Sequence, residues 1–270
     1  MVANRYFAID AHCHIYPEKI AAKAVGGTDA FYGVTSHGSG IVEDMLREGI
    51  DAGIDLFLVQ SVATTPKQVK SINEFIASEV AKHPDRLIGL GTLHPESEDI
   101  RGDLAHLMEL GLHGVKLHPD IQNFKVDDYR CLKIYEACEE NGVPILMHTG
   151  DDRYDNSNPN RLVPILKIYK GLTVIGAHFG GYSIWKQACE AYRDIPNFYV
   201  DCSSSFGFLT DGQIRGLIEG YGVDKVLFAT DYPMWDAKVE IERLLSLELA
   251  DADYKKMFSE NAKRVYALGN

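Results

Sequence analysis

The segments IDAHCH (9–14), PILMHTG (144–150), VIGAHFGG (174–181) and VLFATDYP (226–233) decide the reading of this chain, because each is a short apolar run that ends on histidine or aspartate. Runs of this kind, rich in β-branched residues and separated by helix-length amphipathic segments, are the sequence signature of parallel strands in βα units. Eight can be counted: Phe7 to His14, Leu56 to Val62, Leu87 to His94, Gly114 to His118, Pro144 to Thr149, Thr173 to His178, Phe198 to Ser203 and Val226 to Asp231. Between the second and third, residues 66–83 place Val69, Ile72, Phe75, Ile76 and Val80 on one helical face. Segments 127–140, 160–170, 183–193, 211–220 and 236–247 read the same way, and a last helix is expected from Asp253 to Leu268. Residues from Ile15 to about Ser39, rich in Gly and small residues toward their end (VGGTDAFYGVTSHGSG, 25–40), read as one long irregular loop behind the first strand.

Eight strands with intervening helices in 270 residues predict one (β/α)8 TIM barrel with a C-terminal helix, a single domain over 1–270. A doubly wound open sheet shares the alternation, but neither G-x-G-x-x-G nor G-x-x-x-x-G-K-[ST] follows any strand. The balance of 27 basic against 39 acidic residues, −12 overall, with no Lys/Arg-rich stretch, argues against nucleic acid as a partner. The start MVANRYFAID carries no long apolar stretch behind a basic segment, and no run reaches the length of a membrane span, so a cytoplasmic location is expected. The five cysteines are an odd number, scattered and without C-x-x-C, which predicts reduced, buried thiols. A homo-oligomer such as a dimer is compatible with all of this.

Side chains two apart on a strand point the same way, so His12 and His14 should aim together into the barrel mouth. His148, His178 and Asp231 end later strands and should emerge at the same C-terminal rim, where barrel active sites assemble. One strand-end histidine is more often a hydrogen-bonded rim residue than a ligand. Five such residues on ordered strand ends point instead to a site for a divalent ion, and nitrogen with carboxylate oxygen suits zinc first, then manganese or iron.

With DAHCH at the start, GVKLHP in the fourth run, His148, AHFGG in the sixth, ATDYP in the eighth and FSENAKRVY near the end, the chain resembles the amidohydrolase superfamily over nearly its whole length. Within it, it is similar to amidohydrolase family 2, a branch of metal-dependent hydrolases and decarboxylases. The resemblance implies that His12, His14, His148 and Asp231 hold the metal, with His178 as a nearby acid/base group. Lys116 stands about where other branches carry a carboxylated lysine bridging two ions, but an ordinary lysine that pairs with a carboxylate or with substrate, and hence one ion per chain, is the expectation.

Zinc with an open position brings the pKa of bound water toward ~7, which supplies a hydrolytic nucleophile. The first expectation is therefore hydrolysis of a C–N or C–O bond in a small carbonyl substrate, with Asp231 or His178 moving the proton. The alternative, also implied by the resemblance, is nonoxidative decarboxylation of an aromatic or unsaturated carboxylic acid. Such relatives recruit an arginine for the carboxylate, and Arg153 is the one arginine close behind a candidate ligand strand, though three acids flank it. Lys116 and His118 are further candidates for contact with substrate. Tyr154, Phe179, Tyr182, Phe206, Tyr232 and Trp235 are expected to line an aromatic pocket. A barrel that binds a metal or ligand without catalysis is the third reading.

Overall fold

In a computed structural model of the chain, which describes residues 5–269, the eight expected strands form. They are β1 (Ile9–His14), β2 (Leu56–Gln60), β3 (Leu87–Gly89, resumed past Leu90 as Gly91–Thr92), β4 (Val115–Leu117), β5 (Ile145–Met147), β6 (Val174–Gly176), β7 (Phe198–Asp201) and β8 (Val226–Leu227). Every neighbouring pair is parallel and follows chain order. Leu90 keeps β3 continuous, since its N–H donates to Val59 O while Gly91 N–H donates to Gly114 O. The ring closes between last and first strands: Ala11 N–H donates to Phe228 O, His14 N–H donates to Tyr232 O, and Cys13 bridges Tyr232 in parallel. Residues 1–4 and 270, part of the N-terminal stretch and of the 1–270 domain read above, lie outside the described residues.

Strand alternation sorts the side chains into two layers. Ile9, Leu58, Leu90, Leu146, Ile175 and Leu227 fill the barrel interior, while Phe57, Val59, Val115, Ile145, Val174 and Phe198 face the helices. On β4 the inward place belongs to Lys116, which stands opposite Leu146 in register and is 1% exposed. The helices are α1 (Glu18–Tyr32), α2 (Val42–Ala52), α3 (Val69–Lys82), α4 (Ile100–Glu109), α5 (Pro119–Gln122), α6 (Tyr129–Asn141), α7 (Pro159–Ile168), α8 (Trp185–Tyr192), α9 (Asp211–Tyr221), α10 (Ala237–Leu245), α11 (Asp251–Lys255) and α12 (Asn261–Val265). Among the described residues no helix is long and apolar enough to cross a membrane.

One expectation is corrected and another refined. The supposed loop from Ile15 to Ser39 contains α1, fifteen residues long, which stops at Gly33 in the left-handed region. Gly26 and Gly27 cost an isolated helix roughly 1 kcal/mol each relative to alanine, so the sequence signals a loop, but packing over the barrel mouth outweighs that preference. The closing helix forms as expected but not uniformly, since α11 continues into α12 through one wide turn over Lys256–Glu260. Asn261, fully buried, follows that turn and donates to Val223 O and Val226 O, which ties the segment to the base of β8.

Gly150, two residues past His148, has φ 73°, and a Cβ there would lie 2.6 Å from Gly181 Cα. Strain and backbone contact add, so Gly150→Ala should lose roughly 2 kcal/mol or more of stability in urea unfolding. A change within a few tenths of that scale would show that the β5 and β6 ends have room to separate.

Candidate active site

The strand ends open into a cavity of about 710 Å³. His12, His14, Lys116, His118, His148, His178 and Asp231 line its floor, and α1 roofs it with Ile20, Lys23, Ala24, Gly27, Thr28 and Tyr32. These roof positions recur every three to four residues, one face of a helix. Ser61, Thr64, Gln68, Ile72 and Phe75 complete the wall.

On the floor, three donors meet. His12 Nε2 lies 3.1 Å from His14 Nε2 and 3.2 Å from Asp231 Oδ1, and His14 Nε2 lies 3.7 Å from the same oxygen. Burial holds both imidazoles well below the usual histidine range, with Lys116 next in effect, so both are neutral. His12 donates from Nδ1 to Asp201 Oδ2 at 2.9 Å, which leaves its Nε2 a lone pair facing the cluster. A buried carboxylate behind the outer nitrogen of a histidine is the arrangement that orients metal-binding imidazoles. A cation already faces these lone pairs, for Lys116 Nζ is 2.8 Å from His12 Nε2. Burial lowers the Lys116 pKa and raises that of Asp231, the carboxylate being the largest charge that favours the ammonium. His12, His14 and Asp231 thus fit a divalent ion by donor type and spacing, the two imidazoles being neutral and burial bringing the Asp231 pKa up to about 7.

Asp231 and His178 both adopt left-handed backbone, φ 61° and 60°, a conformation that costs roughly 1–3 kcal/mol for residues other than glycine. The turn out of β6 is therefore made by His178 and Phe179 themselves, before the two glycines. His178 N–H donates to Asp201 Oδ1, and Ser204 Oγ donates to Asp231 Oδ2 at 2.6 Å, with Trp235 Nε1 donating to that hydroxyl in turn. His178 Nδ1 faces Ser203 Oγ at 3.0 Å, and because that hydroxyl already donates to Asp201, the imidazole is the donor. Its Nε2 is then an acceptor, and burial brings its pKa down to about 4.

His148 stands beside the trio rather than within it. Its Nδ1 lies 3.1 Å from His178 Nε2 and its Nε2 lies 3.6 Å from Asp120 Oδ2, with Asp151 completing a second group of potential ligands. Its ring lies flat on that of His118, centroids 4.1 Å apart.

Other sequence expectations part from the structure. Arg153 does not line the cavity: Asp151 takes its Nε and Nη2 at 2.9 and 2.7 Å, and its guanidinium lies 5.1 Å from the Phe31 and Tyr32 ring centroids. The aromatic wall is Tyr16, Tyr32 and Phe75, none of the six anticipated residues. Phe179 and Phe206 are buried in the core, and the Tyr232 hydroxyl donates to Ile41 O. Sequence reading missed Asp201 and Tyr32, and it placed Asp120 beside His118 at the end of the fourth strand without giving it a role. Asp201 alone left a signal, as a run-ending aspartate in FYVD (198–201) like Asp231 in its own run.

The sequence profile described as amidohydrolase matches residues 9–268. A 2-amino-3-carboxymuconate-6-semialdehyde decarboxylase of Dictyostelium discoideum is 33% identical over 235 residues, covering 74% of this chain and 64% of its own length, so the matched region spans less than two thirds of that relative. A gamma-resorcylate decarboxylase of Polaromonas sp. is 23% identical over 268 residues, with 78% of this chain and 80% of the relative covered. The crystal structure of a dihydroxybenzoic acid decarboxylase from Polaromonas sp. JS666, with bound manganese and the inhibitor 2-nitroresorcinol, superposes with a TM-score of 0.73 at 18% identity, covering 98% of each chain. These relatives overturn the expectation of C–N or C–O hydrolysis and favour its alternative. The physical reason is that one ligand set serves both chemistries, so strand-end histidines do not choose between them.

Asp201→Asn should lower affinity for a divalent ion by about 10- to 100-fold, because the amide no longer enforces the His12 tautomer. Chelator competition measures this, and unchanged affinity with unchanged folding would remove Asp201 from the site.

Proposed function

The chain belongs to the amidohydrolase family, and from that premise we propose that it is a divalent-metal-dependent nonoxidative decarboxylase of an aromatic or unsaturated carboxylic acid. The observation that supports this most directly is the convergence of His12 Nε2, His14 Nε2 and Asp231 Oδ1 on the floor of a roofed cavity large enough for such an acid. The decarboxylase relatives supply the reaction class.

His12, His14 and Asp231 would hold the ion, with His148 proposed as the fourth donor. When bound, the ion would fix and polarise the oxygen substituents of the substrate. The imidazole-rich set favours zinc, and the manganese in the similar Polaromonas structure is the alternative. Lys116 remains an ordinary amine in this reading, so one equivalent of ion per chain is expected.

Decarboxylation replaces a carbon–carboxylate bond with a carbon–hydrogen bond, so a proton must reach the carbon that loses CO2. Asp231 is the group proposed to move it, its carboxyl pinned at Oδ2 by Ser204. His178, with its Nδ1 proton committed to Ser203, presents its Nε2 lone pair to His148 Nδ1 at 3.1 Å and so favours the tautomer in which His148 offers Nε2 as the fourth donor. The roof helix and Phe75 exclude water from the carbon.

The test is CO2 release from gamma-resorcylate, 5-carboxyvanillate and 2-amino-3-carboxymuconate 6-semialdehyde, with metal content measured on the same sample. Turnover of none of them, alongside hydrolysis of an ester or lactone, would end the decarboxylase reading. His12→Ala with His14→Ala should empty the site of metal. His178→Asn should keep most of the metal and lower kcat by about 10- to 100-fold, as for a lost group that orients a metal-binding imidazole. Metal lost along with activity would make His178 a ligand instead.

A further inference from the structure

Helix α1 delivers one polar group to the floor histidines. Tyr32, its last residue, places Oη 2.8 Å from His118 Nε2 and 3.4–3.5 Å from the ring nitrogens of His148. The other side of His118 decides which way the short bond runs. His118 Nδ1 accepts from Ile121 N–H at 3.3 Å, at the first turn of α5, so the ring proton sits on Nε2 and donates to Tyr32 Oη. The tyrosine hydrogen is therefore free for another acceptor. An oxygen that already accepts a hydrogen bond is a stronger donor through its own hydrogen. The distances to His148 are too long for a strong bond, so the hydroxyl retains its donor capacity on the cavity wall.

Arg153 explains why the hydroxyl stays there. Its fork is filled by Asp151, a carboxylate whose side chain is 1% exposed, and its remaining Nη1 donates to Phe31 O at 2.8 Å. That carbonyl belongs to the last turn of α1, the negative end of the helix dipole. The guanidinium carbon also lies 5.1 Å from both the Phe31 and the Tyr32 ring centroids. One arginine thus grips backbone and rings at the end of α1 from a loop anchored behind β5.

We infer that Tyr32 is the donor that receives an anionic oxygen of the substrate, and that Arg153 is the positioning residue that holds Tyr32 over the floor. The inference rests on the reading of the cavity as the binding site of a carboxylic acid. Such an anion needs donors; no arginine lines the cavity among the described residues, Lys116 Nζ is taken up by His12 on the floor and Lys23 sits exposed on the roof, so Tyr32 Oη is an unspent donor beside the floor histidines.

Three measurements test it. On the metal-loaded protein, Tyr32→Phe should reduce kcat/KM for whichever panel acid is turned over by about 10- to 100-fold, mainly through KM, as for a lost hydrogen bond to a charged group. Arg153→Gln should act in the same direction, add little in the Tyr32→Phe background, and raise amide hydrogen exchange in residues 18–32 while the barrel strands stay protected. The ¹⁵N shifts of His118 should report the Nε2-protonated ring. An unchanged KM in Tyr32→Phe, full additivity of the two changes, unaltered exchange in α1, or a His118 protonated on Nδ1 would each overturn the inference. The last two need no substrate, so a silent panel alongside hydrolysis of an ester or lactone, with both as expected, sinks the decarboxylase reading and leaves the Arg153 clamp standing.

Discussion

The carboxylate of Asp201 is the constraint on which the site depends. It is fully buried at the end of β7, where an ionised group persists only if donors surround it. Oδ2 takes the His12 imidazole, while Oδ1 accepts from His178 N–H, Ser203 N–H and Ser203 Oγ. Each bond has a consequence at a distance. The first fixes the tautomer of His12; the second helps hold His178 in a backbone conformation it would otherwise avoid; the last turns Ser203 Oγ into an acceptor and so sets the tautomer of His178 as well. Three strands meet at one carboxylate, and the tautomers of His12 and His178 follow from it.

The opposite half is organised by stacking rather than by charge. His118 and His148 lie nearly parallel, 6° apart in plane, and Tyr182 closes edge-on against both Tyr32 and His178. Asp120 is held by Asn156 at one oxygen and leaves the other, buried and without a hydrogen-bond partner, near His148. Burial accordingly brings the Asp120 pKa up to about 6, with the Asn156 hydrogen bond opposing the shift. The two halves join at His148 and His178, 3.1 Å apart, so a change in either alters what the other can accept.

What the sequence made legible were features encoded by period and position. Apolar runs predicted all eight strands, because interior and exterior layers both demand β-branched or leucine side chains there. The convergence of His12 and His14 follows from the two-residue repeat of a strand. Helix α1 was illegible because two adjacent glycines mimic a loop, and only tertiary packing keeps them helical. Arg153 invited a role with substrate because sequence places it behind a candidate ligand strand, whereas its partner Asp151 lies only two residues away and neutralises it. Chemical class stayed ambiguous for a different reason, since the same donors serve water activation and carboxylate removal.

The roof has a composition unlike the floor it covers. Ala24, Gly27 and Thr28 are the small residues that α1 turns toward the cavity, and a Cβ at Gly27 would meet nothing within 4 Å. No barrel strand passes through this helix, and its far end is gripped by a single arginine. The shape of the chamber at these small positions is thereby uncoupled from the parts that fold the barrel, and only Tyr32, at the end of the helix, reaches the floor. Bulk added along one exposed helix would narrow the space and bulk removed would widen it, with the floor untouched. The size of the occupant is therefore set by a few roof positions of α1 rather than by the barrel.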